Sequence, residues 1–248
     1  MRCYLQCLAI VRRNGCGMSK RESELKFTCD AFSAAFVKRG VESICLADEN
    51  FSENIISSVY FDTHDWLFAG EKASSDYLKA KVRLRWYEVS DPSKASKGSK
   101  CYLEFKRKVG SKRTKSRVLM PFTGNQALSA LQDSANKEMI QQHINEHAPD
   151  LYGHNVEPKF VVRYARSRFK EPFSNTRISF DRDIQAFNVG NNFAQQASHV
   201  HLIESVLEVK GEVDDLPHAL RSFHAGKLRK AAFSKYYESF KLLSGYEQ

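Results

Sequence analysis

The sequence predicts an α+β fold dominated by antiparallel strands, with helices packed around the outside. Three observations predict it. Many short segments alternate polar with apolar side chains, as half-buried strands do. A few longer stretches repeat apolar residues at helical spacing instead. The 248 residues are enough for one sizeable core, and β-rich chains of this length commonly fold as one unit.

Taken in order, residues 1–20 are read as an N-terminal extension lacking fixed structure and residues 21–245 as a single domain. The apolar run from Tyr4 to Val11 is too short to span a bilayer, no convincing signal-peptide cleavage site follows it, and Met18 stands just before the patterned region. "ESELKF", residues 22–27, alternates and reads as a strand. Residues 29–46 place Phe32, Ala35, Phe36 and Ile44 at helical spacing, interrupted by Gly40. "NIISSVYFDT" is a β-rich run whose final Asp62 and Thr63 suit the cap of a short helix around "HDWLFAGE". "KVRLRWYE", residues 81–88, is the next strand, and "SDPSKASKGSK" is an exposed hairpin tip. The chain returns as "CYLEFKRKVG" and continues as "KSRVLMPF". Residues 126–146 form a helix on Leu128, Leu131, Met139, Ile140 and Ile144. "KFVVRYARSRF", "RISFDRDI" and "VLEVKGE" are strands, and "LPHALRSFH" and "SKYYESFKLL" are closing helices.

A formal net charge of +9 favours a polyanionic partner. The six cysteines form no C-x-x-C pair and no disulfide framework, which removes the main support for zinc-ribbon or thioredoxin-like chemistry and fits a reducing cytoplasm.

The pattern that carries function is a cationic row that recurs. Period-two alternation puts Lys81, Arg83 and Arg85 on one face, as it does Glu104, Lys106 and Lys108, or Glu22, Glu24 and Lys26. Arg177, Ser179 and Asp181 share a face, and so do Glu204, Val206, Glu208 and Lys210. The opposite faces hold Phe27, Val82, Leu84, Trp86, Phe105, Phe180 and Leu207. An ordinary sandwich would turn these charges to solvent. The alternative is a barrel with the charged faces inward, where crowded cations call for a polyanion and interspersed carboxylates for a hard cation such as Mg²⁺ or Mn²⁺.

The set "ESELKF", "VYFDT", "KVRLRWY", "LEFKRK", "KSR", "RYARSRF", "RISFD", "LEVK" and "FSKYYES", in this order from about Glu22 to Ser239, resembles the VTC domain, the polyphosphate polymerase branch of the triphosphate tunnel enzymes. The resemblance implies an antiparallel β-barrel tunnel with a charged interior. It further implies phosphoryl transfer from ATP to a growing polyphosphate chain, with Mn²⁺ or Mg²⁺ as cofactor. Carried over, it places Arg83, Arg85, Lys106 and Lys235 at the reacting phosphate. Phosphate binding falls to Lys26, Lys81, Lys108, Lys115, Arg117, Arg163 or Arg166, Arg177, Lys210, Ser234 and Tyr236. The metal falls to Glu208, assisted by Glu24 and Glu104. Ala232 stands where relatives have a lysine before "FSK", and Glu22 with Glu24 matches hydrolytic relatives, so a triphosphatase of the same fold is the second reading.

A third reading is a non-catalytic module that binds polyphosphate or nucleic acid, although no nucleic-acid motif is present and no nucleic-acid partner is expected. The expected location is cytoplasmic or peripheral at the inner face of a membrane, with a separate membrane protein receiving polyphosphate. His143 and His147 lie four apart on the helix, but the sequence shows no third ligand, and exposed helix-surface histidines are the plainer account. Tyr60 and Asp62 are read as packing a strand end and capping the next helix.

Overall fold

Strand alternation becomes one antiparallel sheet. The computed structural model describes residues 23–74, 77–88, 98–174, 176–189, 197–221 and 228–245. Its first elements are β1 (Ser23–Asp30), α1 (Ala31–Ile44), β2 (Leu46–Ala47), β3 (Glu53–Thr63), α2 (Leu67–Ala73) and β4 (Leu78–Glu88). Then come β5 (Lys100–Val109), β6 (Lys112–Thr123), α3 (Ala127–Ala130), α4 (Ser134–His147) and β7 (Val156–Lys170). The chain ends with β8 (Arg177–Asn188), β9 (His199–His201), β10 (Glu204–Gly211), α5 (His218–Arg221), β11 (Arg229–Lys230) and α6 (Lys235–Ser244). The expected extension at residues 1–20 lies outside the described residues, as do Glu22 and most of the expected hairpin tip.

The sheet runs β11-β1-β10-β8-β7-β3-β4-β5-β6, with β2 added beside β7 and β9 beside β8. Register shifts at Tyr60/Phe61 in β3, Lys100/Tyr102 in β5 and Arg163/Ala165 in β7 are the irregularities that let a sheet coil strongly. The hydrogen-bonded path is nevertheless open. Among the described residues β6 pairs only with β5 and β11 only with β1, so hydrogen bonding does not close the expected barrel.

Helices cover the apolar outer face. Asp30 caps α1 by accepting from the Ser33 N–H at 2.7 Å, and α1 lays Ala34, Val37 and Val41 over Phe27, Phe180, Leu207 and Val209. Gly40 does not interrupt this helix, because it is buried at the helix–sheet contact, where packing outweighs its low propensity. On the other half of the sheet, Leu131, Ile140 and Ile144 of the α3–α4 region share a core with Val82, Leu84, Leu103 and Phe105. The single helix expected over 126–146 is two, because Asp133 accepts from the Asn136 N–H at 2.9 Å and starts α4 afresh. Leu128, expected in the core, is 45% exposed as a result.

Asp62 and Thr63 do hold α2. Thr63 Oγ1 accepts from Leu67 N–H at 3.0 Å, and the Asp62 carboxylate accepts from Phe68 and Ala69 N–H at 2.9 and 3.1 Å. Asp62 also accepts from the Tyr236 hydroxyl, which fastens α6 to the same point. α6 begins at the Ser234 cap and ends at Gly245, whose φ of 66° suits glycine. Its Tyr236 packs on Tyr60 and Phe160 and its Phe240 on Trp66.

Candidate functional site: an ionic inner face

Directly opposed residues of neighbouring strands share a face, so the register assembles the site. Across β6, β5 and β4 it aligns Arg117, Glu104 and Arg83, and one row along it aligns Lys115, Lys106 and Lys81. Tyr60 of β3 stands opposite Arg83, and Ser58 opposite Arg85. On the other half it aligns Arg168, Ser179, Glu208 and Lys26, then Lys170, Arg177, Lys210 and Glu24. The sheet curls these two halves together. One cavity of about 550 Å³ is lined by Glu24 and Lys26 from β1, Lys79 and Lys81 from β4, Lys106 and Lys108 from β5, and Arg113 and Lys115 from β6. Lys72, Arg107, Phe233, Ser234 and Tyr236 complete its wall together with a few small and apolar neighbours. Nine basic residues thus meet one carboxylate, an excess of cationic groups that a bound anion would offset. A second cavity of about 990 Å³ is bordered by Arg166, Arg168, Lys170, Arg177 and Lys210. The Lys210–Glu24 contact, 3.8 Å, joins the two.

Beneath the cavities lie buried ion pairs. Arg83 donates through Nε and Nη2 to Glu104 Oε2 at 2.9 and 2.6 Å and through Nη1 to the Tyr60 hydroxyl at 3.2 Å. Arg85 Nη1 is 3.6 Å from the same Glu104 oxygen, and Arg85 donates to Ser58 and Tyr164 hydroxyls. Burial alone would raise the Glu104 carboxyl, but Arg83 and Arg85 hold it at about 2. Arg166 forms a two-pronged pair with Asp181 at 2.5 and 2.6 Å, and Lys235 of α6 reaches Asp181 at 2.5 Å while lying over the Tyr164 ring. Burial opposes ionisation of Asp181, yet Arg166 and Lys235 hold it below the usual carboxylate range.

Two lysines carry the cost of the crowding. Burial, with Arg83, Lys26 and Lys106 nearby, lowers the Lys81 ammonium to about 7 against a partial rescue by Tyr60. Lys106 opens onto the cavity yet is ringed by protein, and that desolvation together with Arg83 lowers it to about 8. Tyr60, although burial would raise it, is lowered by Arg83, Lys81 and Arg85.

The expected metal ligands divide. Glu208 accepts from Lys210 Nζ at 2.5 Å, and Glu24 is 3.8 Å from the same ammonium, so the Lys210 cation stands between two carboxylates. Burial would raise Glu208, but Lys210 and Arg166 hold it at about 2. Two carboxylates that already share a cation offer oxygen donors of the kind a hard divalent ion prefers. Glu104 does not belong to that pair, because its carboxylate serves Arg83 and Arg85.

Most predicted residues reach the inner face. Arg163 does not: it stands opposite Ser57 on the outer face and pairs with Glu88 at 3.0 Å, so Arg166 is the inward member of the two. Arg117 is exposed near the rim over the Tyr102 ring at 4.9 Å. Ser234 is buried as the α6 cap rather than offered to a ligand, although it borders the cavity. Asp181 was missed as a site residue although alternation had already put it beside Arg177. Lys79 was readable two positions before Lys81, whereas Lys72 on α2 had no signal in the sequence.

These features define a class, an α+β protein whose curled antiparallel sheet presents a cation-rich concave face. The chain belongs to the VTC domain family, whose sequence model matches residues 21–244. That membership points to an enzyme of the phosphotransferase kind. No curated protein sequence matches the chain. Among solved structures, a proposed adenylate cyclase from Vibrio parahaemolyticus is similar at 16% identity and TM-score 0.44, covering 89% of this chain and 97% of that one. The Mediator head module of Schizosaccharomyces pombe is similar at 12% identity and TM-score 0.39, covering 83% and 90%. Among the described residues no helix is long and apolar enough to cross a membrane.

Proposed function

We propose that the chain transfers the γ-phosphoryl group of ATP to the end of a growing polyphosphate, held on the inner face, with the curl of the sheet acting as a tunnel for the product. The observation that carries this reading is the cavity where nine basic residues face one carboxylate. Phosphoryl transfer asks mainly for positioning and for neutralisation of charge on the equatorial oxygens. The guanidiniums of Arg83 and Arg85, fixed by Glu104, Tyr60 and Ser58, are pre-oriented planar donors for that charge. Lys81, Lys106 and Lys26 supply amino groups that gain charge or partners from phosphate, and Lys235 holds its place through Asp181. Glu208 with Glu24 would hold Mn²⁺ or Mg²⁺, which would supply neutralisation of the charge that develops on the leaving phosphate. Incoming phosphate draws Lys210 off those carboxylates. A separate membrane protein would receive the product.

A triphosphatase is the second reading, favoured by Ala232, which lines the cavity where relatives carry a lysine. Incubation with ATP and Mn²⁺, with ADP, free phosphate and chain length measured separately, decides between them. Chain growth with ADP is expected. Phosphate release without chains would replace the polymerase by the hydrolase, and binding without turnover would leave a binding module. Glu208→Gln should lower metal-dependent turnover by at least about a hundredfold while sparing most triphosphate affinity; unchanged turnover would remove Glu208 from the metal site.

A further inference from the structure

We propose that His143, Glu146 and His147 on α4 form a surface site for a borderline divalent transition ion such as zinc, bound by two imidazoles and one carboxylate with a fourth position open. Spacings of three and four residues bring the side chains onto one strip of the helix. Their donor atoms all lie within 4.8 Å of one another. His143 Nδ1 and Glu146 Oε2 are 3.2 Å apart. Two donors on a tetrahedral zinc, each about 2.0–2.1 Å from the metal, stand about 3.3 Å from each other, so this pair is already at ligand spacing.

Two supports surround the cluster. Gln142 Nε2 donates to Glu146 Oε1 at 2.9 Å, which turns Oε2 toward His143 in the way that outer partners orient metal carboxylates. The His147 ring, exposed on its other side, stacks on Phe105 with centroids 5.2 Å apart and planes 22° apart, a contact that favours one ring orientation before any ion arrives. His147 also sits in the last turn of α4, where the helix dipole favours positive charge. Imidazole donors select zinc or a similar ion over the magnesium and calcium that all-oxygen sites prefer. The site is separate from the ionic face, because α4 packs Ile140 and Ile144 on the outer side of the sheet. Ion binding there would stiffen the last turn of α4, whose His147 stacks on Phe105 of β5.

The competing account is a hydrogen bond between His143 and Glu146 with no affinity for metal. Calorimetric titration of the full chain with zinc chloride, and absorption spectra with Co²⁺ as a probe of coordination, separate the two. The expected result is one site tighter than about 10 μM, weakened at least about tenfold in H143A/H147A and severalfold in Glu146→Gln, with H199A/H201A unchanged. Saturating zinc should raise the melting temperature of the wild type and not that of H143A/H147A. Since the residues are on the surface, metal-free melting of the variants establishes that they fold. Equal zinc affinity in H143A/H147A, or no wild-type binding below about 100 μM, overturns the site.

Discussion

At the scale of residues, the site holds its guanidiniums ready by tying them to carboxylates, and the tie has opposite effects on folding and on binding. Glu104→Gln leaves Arg83 and Arg85 without their anion. Breaking a buried pair from one side costs up to about 3–5 kcal/mol, which urea denaturation would measure. The same change frees two cations for phosphate, so triphosphate should bind more tightly to the variant once folded. Weaker binding in calorimetry would mean that Glu104 orients the arginines more than it restrains them. Lys81 gives a pH signature. Its folded value of about 7 lies below the ordinary 10.5, so between those values the unfolded chain binds the proton better and stability gained through this residue rises with pH. Phosphate in the cavity favours the ammonium forms, so binding at pH 8 should take up protons, the larger part at Lys81 and a smaller part at Lys106. Binding enthalpies in buffers of different ionisation heat should show the uptake in wild type and a smaller uptake, the Lys106 share, in Lys81→Met. Arg83, Arg85 and Lys106 were legible from period two alone. Parity also separates Arg163 from Arg166, three positions apart and hence on opposite faces, but only Glu88 shows which face is inner.

At the scale of elements, Asp62 joins two helices to one strand end. It was legible as a cap, but its second bond, to Tyr236 across 174 positions of sequence, was not. Asp62→Ala removes the acceptor for two N–H groups of α2 and for the Tyr236 hydroxyl. Lost caps cost about 1–2 kcal/mol and a buried orphan hydroxyl about 1–3 more. Thermal melting should fall accordingly, and hydrogen exchange should rise in α6 as well as α2. Exchange confined to α2 would show that Tyr236 holds α6 without Asp62. Strand existence was readable because alternation spans whole segments. The split of the 126–146 helix was not, since Asp133 reads equally as a solvent-facing helical residue until its side chain is seen on Asn136 N–H. The two- and three-residue strands β2, β9 and β11 are too short to carry any period.

At the scale of the whole molecule, the sequence told which faces were charged but not how the sheet would close on itself. Curl depends on register shifts and on long-range pairing, such as Lys26 with Glu208, that no local pattern encodes. The recurring charged faces suggested a closed barrel and the family resemblance implied one, but among the described residues the hydrogen-bond path stops short of it. Among the described residues β6 therefore carries one side of unpaired backbone, and along it stand Lys112, Arg113, Lys115 and Arg117, all exposed. Such a border can add a second chain strand to strand, and like charges along it oppose that pairing. The cations proposed to hold phosphate on the inner face would thus double as gatekeepers of solubility. Replacing Arg113, Lys115 and Arg117 with threonine should yield dimers and larger aggregates by light scattering, and a long anion that screens these charges should push the native protein the same way.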